Sequence, residues 1–138
     1  MMQWISRTAL AAMVALVPGA VLAQAFPSKP LKVVVGFAPG GNLDVTARIL
    51  AESMSRSLGQ PIVVENRPGA GGVIGSDLVA RADPDGYTLV AATTATTIVS
   101  PLMVPNPPYT AANFASVGVM AVTPLMVEVP ASSPYVDF

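Results

Sequence analysis

From residue 25 onward, apolar and polar positions alternate between two periods. Leu31-Lys-Val-Val-Val-Gly-Phe37 is a nearly continuous β-branched apolar run, the signature of a strand buried on both faces. Immediately after it the period lengthens. Leu43, Ala47, Leu50, Met54 and Leu58 recur at helical spacing, while Asp44, Arg48, Glu52 and Arg56 recur every fourth residue with alternating sign on another face. This predicts a helix with Asn42 as N-cap that runs to Leu58, where Gly59 and Pro61 end it. The unit then repeats, with a strand at Ile62–Glu65 and a helix at about Val73–Ala82. Asp83-Pro84-Asp85-Gly86 has the composition of a tight turn that feeds a third strand, Tyr87–Ala92. Strand–helix alternation of this kind predicts an α/β fold with parallel strands and right-handed crossovers.

Beyond Ala92 the pattern loosens. Thr93, Thr94, Thr96 and Thr97 make a hydroxyl-rich loop that opens a short helix to Met103. Pro101, Pro105, Pro107 and Pro108 then favour extended, non-helical chain. Val117–Val122 and Leu125–Val129 have the composition of two further strands, divided by Thr123-Pro124.

The chemistry of the chain concentrates at its strand ends. The first strand runs into Ala38-Pro-Gly-Gly41, and the second into Asn66-Arg-Pro-Gly-Ala-Gly-Gly72, each loop opening a helix. A helix start leaves several backbone N–H groups without partners at the positive end of the helix dipole, which suits an anion. In a parallel sheet both loops leave at the same edge, where open α/β folds place their ligands.

Each candidate also has a purely structural reading. Gly40 and Gly41 suit a sharp turn. Asp44 in the first helical turn complements the dipole whether or not a ligand is present. Gly69, Gly71 and Gly72 also permit close helix–strand packing, and the threonines suit capping and β-structure. Arg67 can serve a bound carboxylate or pair with Glu65. The functional reading gains from coincidence, since three successive strand ends bring donors to one edge.

Composition removes most other classes of function. The start, with one positive charge in Met1–Arg7, an apolar run Thr8–Val17 and Val21-Leu22-Ala23, reads as a signal peptide over 1–23, cleaved after Ala23 or Ala25, and thus as export to the periplasm. The apolar run is too short and interrupted for a membrane span, which needs about 20 residues. It also inflates the 52% hydrophobic content. About 115 residues remain, the usual size of one domain. They hold six basic and eight acidic residues, with no basic stripe, so nucleic acid is not an expected partner. Cysteine and histidine are both absent. This rules out disulfide scaffolds, Ser-His-Asp and Cys-His nucleophile pairs, and the usual zinc sites. No catalytic residue, metal ligand or cofactor is expected.

A nicotinamide dinucleotide-binding enzyme is the alternative from another class. Gly69-x-Gly71-Gly72-x-x-Gly75 follows a strand, but its spacing is one residue too long. The acid expected about 20 residues on is missing, because Glu128 is the next after Asp85. An inert, truncated reading frame is a third reading.

Three segments also carry a resemblance. Phe37-Ala-Pro-Gly-Gly-Asn-Leu-Asp-Val-Thr-Ala-Arg48, Gly59-Gln-Pro-Ile-Val-Val-Glu-Asn-Arg-Pro-Gly-Ala-Gly-Gly72 and Pro84-Asp-Gly-Tyr-Thr-Leu89 resemble the solute-binding proteins of the tripartite tricarboxylate transporters, the Bug proteins. The resemblance implies a periplasmic binding protein fold of type II-like character, with two α/β domains closing on a small carboxylate or related polar solute. It further implies a monomer that hands its ligand to membrane permease subunits. Residues 24–129 would form part of the first lobe, with a mostly parallel sheet, and 130–138 would begin the crossover to a second. By the same resemblance, Phe37, Ala38, Gly40, Gly41 and Asp44 would grip a ligand carboxylate together with ordered water, and Gly69, Ala70, Gly71, Thr93, Thr94 and Thr96 would line neighbouring cleft loops. Two departures bear on ligand identity: no histidine follows the threonines, and the usual Asp-Phe pair reads Asn113-Phe114. A half-cleft leaves its donors open to screening solvent, so these residues alone are expected to bind carboxylates weakly or not at all.

Overall fold

The structure is a computed structural model that describes residues 25–124, 128–130 and 132–134. The signal peptide expected over 1–23 lies outside the described residues. Three strands form a parallel sheet in the order β2-β1-β3: β1 is Leu31–Val35, β2 is Ile62–Asn66 and β3 is Thr88–Ala91. Register sets Val35 opposite both Asn66 and Ala91, so the three strands end level at one rim. Helix α1 (Asn42–Leu58) connects β1 to β2, and α2 (Val73–Ala80) connects β2 to β3. With this order, two right-handed crossovers put the helices on opposite faces of the sheet.

The alternation along β1 agrees. Val35 packs with Ala47 of α1 and Ala91, with Val33, Phe37, Leu43, Val64 and Met120 around them. Val34 is fully buried, and Gly36 beside it meets the start of α2. A Cβ on Gly36 would lie 2.8 Å from Gly72 Cα, and one on Gly75 would lie 2.9 Å from Gly36 Cα. The core is thus built from small residues at close approach, with alanine and glycine letting both helices sit low on β1.

Several boundaries differ from the sequence expectation. The N-cap of α1 is Gly41, with no side-chain cap bond, and Asn42 is already helical. The α1 C-cap, Gly59, is left-handed at φ 66° and returns its N–H to the Ser55 carbonyl. Strand β2 extends to Asn66, β3 is two residues shorter, and α2 ends at Ala80. A π-turn at Ala95–Val99 runs into one helical turn, Ser100–Leu102.

The expected strand at Val117–Val122 does not form: that stretch is irregular and has no ladder partner among the described residues. Its β-branched composition favours extended chain, but a strand also needs a ladder partner. Of the expected strand Leu125–Val129, residues 125–127 lie outside the described residues and 128–129 are irregular. At the other end, residues 26–29 are tied to the turn before β3. Ser28 N–H donates to Tyr87 Oη at 2.8 Å, Lys29 Nζ lies 3.0 Å from Asp85, and the Phe26 and Tyr87 rings sit 5.0 Å apart.

Candidate functional site

Because the strands are parallel and end level, the loops after β1, β2 and β3 emerge at one rim. Gly72 is where they meet. Its Cα stands against Gly36, and a Cβ placed on it would meet the Thr96 methyl at 2.5 Å and the Phe37 ring at 3.2 Å. With φ at 94°, only glycine fits this position without strain. With the order β2-β1-β3, the chain reverses direction between β1 and β3, the kind of switch point where doubly wound sheets hold ligands.

The first loop is shaped by a buried carboxylate. Asp44 is 2% exposed, and its oxygens accept from three groups. The Gly40 N–H donates to Oδ2 at 2.8 Å, and Asn66 Nδ2 donates to Oδ1 at 2.8 Å. Arg48, one helical turn on, grips both oxygens, Nε to Oδ2 at 3.1 Å and Nη2 to Oδ1 at 3.0 Å. Arg48, Gly40 and Asn66 together hold the Asp44 carboxyl far below the usual carboxylate range. Gly40 takes φ 83° to aim its N–H inward. Phe37 is half-buried against the core, whereas Ala38 and Gly41 are exposed. The first N–H groups of α1 keep no intrahelical partner and no side-chain cap.

In the second loop, Gly69, Ala70, Gly71 and Gly72 all take positive φ, at 137°, 46°, 65° and 94°. Ala70 is the one non-glycine residue among the described ones to do so, at a steric cost of about 1–2 kcal/mol. Gly72 N–H closes the turn on the Gly69 carbonyl at 2.9 Å, and Ala70 and Gly71 stand exposed. Of the glycines that approximate a dinucleotide fingerprint, Gly72 and Gly75 are occupied by packing against Gly36. Arg67 is committed to Glu65, Nε to Oε1 at 2.6 Å, and Lys32 holds the other oxygen of the same carboxylate at 3.2 Å.

The third loop is an internal hydroxyl knot. Thr93 N–H donates to Thr96 Oγ1 at 3.0 Å, and Thr96 N–H donates to Thr93 Oγ1 at 3.3 Å. Thr96 Oγ1 and Thr97 Oγ1 both donate to the Thr93 carbonyl, at 3.0 and 2.9 Å. Buried Tyr109 donates its hydroxyl to the Thr96 carbonyl at 2.5 Å. Thr96 is thus buried with its hydroxyl in use, Thr93 is half-buried, and Thr94 is the exposed member. An apolar hollow of about 380 Å³ adjoins these loops, between Ala70, Val73 and the Pro101–Tyr109 stretch.

The structure therefore brings all eleven candidate residues to one rim, but in two roles. Ala38, Gly40, Gly41, Ala70, Gly71 and Thr94 are exposed, while Asp44 and Thr96 serve the inside of their loops. Sequence reasoning missed Asn66 and Tyr109 as members of the site. Each acts across the chain, 22 residues from Asp44 and 13 from Thr96, and no local spacing announces such a contact. Arg48 did have a signal, its position four residues after Asp44 with opposite sign.

A partial parallel sheet with its donor loops at one rim is the lobe of a periplasmic binding protein, and solved structures agree. MatC from Rhodopseudomonas palustris, solved with bound malate, superposes with a TM-score of 0.59 at 41% identity, over 62% of this chain and 29% of that one. The R. palustris protein Rpa4515, solved with adipate, superposes with a TM-score of 0.59 at 33% identity, over 63% and 29%. Residues 46–138 match the model of the tripartite tricarboxylate transporter family receptor, TctC, and the chain belongs to that family. Among its relatives, the UPF0065 protein of the tcbD-tcbE intergenic region from Pseudomonas sp. (strain P51) is 45% identical over 83% of this chain and 34% of its own length. BugT of Bordetella pertussis is 47% identical over 64% and 28%. The chain spans about a third of the length of the curated relatives it matches, between 28% and 41% for the first three.

Proposed function

We propose that this chain supplies one wall of a periplasmic receptor for small carboxylates, which passes its ligand to the permease subunits of a tripartite tricarboxylate-type transporter. The observation that carries this reading is the convergence of three strand-end loops on Gly72, with uncapped first N–H groups at the start of α1 and exposed Ala70 and Gly71 in the turn beside it. Such groups, at the positive end of a helix dipole, suit a carboxylate and need no titratable side chain. Proteins similar to this one were solved with malate and with adipate, both dicarboxylates.

In this reading Phe37, Ala38, Gly40 and Gly41 form the carboxylate-facing loop, and Gly69, Ala70, Gly71, Thr93, Thr94 and Thr96 shape the cleft beside it. Residues 24–129 belong to the first lobe, and 130–138 lead toward a second. Solute binding, rather than catalysis, is the activity of the site. Export is accompanied by cleavage after Ala23 or Ala25, which mass spectrometry of the periplasmic protein would show as a start at Gln24 or Phe26.

The rim is open to solvent, where charge–dipole attraction is screened, so these residues alone bind in the millimolar range. Isothermal titration with malate and adipate tests the reading. Saturable heat in the millimolar range that is lost when the carboxylates are replaced by amides supports it, and equal saturable heat with the amides contradicts it.

A further inference from the structure

The Asp44 carboxylate is buried, charged and saturated by its own chain. Gly40 N–H and Arg48 Nε occupy Oδ2, and Arg48 Nη2 and Asn66 Nδ2 occupy Oδ1. Asn66 also donates to the Phe37 carbonyl at 3.1 Å and accepts from Arg48 Nη2 at 2.8 Å. The network therefore holds the Phe37–Gly41 loop at both ends, through the Phe37 carbonyl and the Gly40 amide. It also fastens that loop to the end of β2, so that the first two loops move as one piece.

We propose that Asp44, Arg48 and Asn66 are positioning residues for carboxylate recognition, which fix the Phe37–Gly41 loop without touching the ligand themselves. The proposal rests on the carboxylate-receptor reading above. Charge supports it. A bare Asp44 carboxylate under an anion-binding loop would repel an anionic ligand, and the bidentate Arg48 cancels that charge on the spot. Lysine cannot replace this arginine, because Arg48 makes two bonds to Asp44 and one to Asn66 with a planar fork.

The test uses the ¹⁵N-labelled full chain, wild type, Asn66→Ala and Arg48→Lys, with two readouts: exchange of the Gly40 amide with solvent, and malate affinity from amide shifts. In the wild type Gly40 exchanges more slowly than the exposed Gly71 amide. Asn66→Ala speeds Gly40 exchange and weakens malate binding by about tenfold, and Arg48→Lys weakens it by about threefold while the fold stays intact. A purely structural role would lower Tm and leave the affinity of the folded protein unchanged. If Asn66→Ala does not fold, Arg48→Lys decides, since its side chain is half-exposed. Wild-type malate affinity in folded variants, or Gly40 exchanging as fast as Gly71 in the wild type, overturns the proposal. Equal shifts with the uncharged diamide of malate defeat the receptor reading instead, and with those, or with no shift at all, the Gly40 exchange rates alone decide whether the network holds the loop.

Discussion

The region from Leu31 to Ala91 and the region after Leu102 are both rich in valine and other apolar residues, yet they use them in opposite ways. In the first, Val34 and Val35 are fully buried, and Ala47, Ala51 and Ala91 lie at 5% exposure or less. In the second, Val117, Val119 and Val122 are 82–89% exposed, and Met103 is 78% exposed. Composition does not distinguish them; partners do. Each valine of β1 has a strand on either side and a helix above or below, whereas 117–122 has no ladder among the described residues. Without a ladder, an extended segment leaves most of its side chains exposed however strong its β-propensity, and within 117–122 it is Met120 that packs against the core.

The largest effect that would break this comparison is a pair of glycine substitutions. Gly36→Val drives side-chain atoms into the Gly72 backbone, 2.8 Å from the Cβ position, and should cost about 3 kcal/mol and lower Tm by more than about 10 °C. Gly118→Ala meets nothing within 4 Å and should change stability by less than about 1 kcal/mol. Thermal denaturation of the two variants measures the difference, and equal losses would mean that the two regions are packed alike.

Next in size is Gly72→Ala, which places a methyl between Thr96 and Phe37 at a left-handed backbone position. It should weaken malate binding by tenfold or more, measured by titration at a temperature where the variant is folded. A smaller effect concerns pH. The Asp44 carboxyl is held below its unfolded value, so its contribution to stability is full above about pH 5 and is lost as the solution is acidified toward its folded value. Glu65, held down by Lys32 and Arg67, and Asp85, held down by the Tyr87 N–H and Lys29, act in the same direction. Asp44→Asn should therefore flatten, not abolish, the fall of Tm between pH 5 and pH 3. An unchanged slope would show that Asp44 is not ion-paired in solution. Smallest of all is Arg56→Ala, which removes an exposed i,i+4 pair with Glu52 and should cost less than about 0.5 kcal/mol in chemical denaturation.

Much of the ordered region was legible in the sequence. The apolar run of β1, the helical spacing from Leu43 to Leu58 and the glycine stops all report local physics, and the structure follows them to within a residue or two. That the loops share a rim was also readable, because parallel strands with crossovers leave no other arrangement. What could not be read is contact between distant residues. Asp44 in a first helical turn reads as a dipole complement, and nothing near it indicates that Asn66 will reach back across the sheet. From sequence, Arg67 can serve a ligand or pair with Glu65, and in the structure its side chain sits on Glu65. The expected strand at Val117–Val122 failed for the converse reason: the local signal is present, and no partner strand is found for it among the described residues.

The most direct measurement is an amide chemical-shift map of the ¹⁵N-labelled chain titrated with malate and, separately, with its uncharged diamide. The account predicts that malate moves the amides of 40–43 and 70–72 together with one dissociation constant, and that the diamide moves neither group. Shifts confined to the apolar hollow around Pro101–Tyr109, or equal shifts with the diamide, would contradict it.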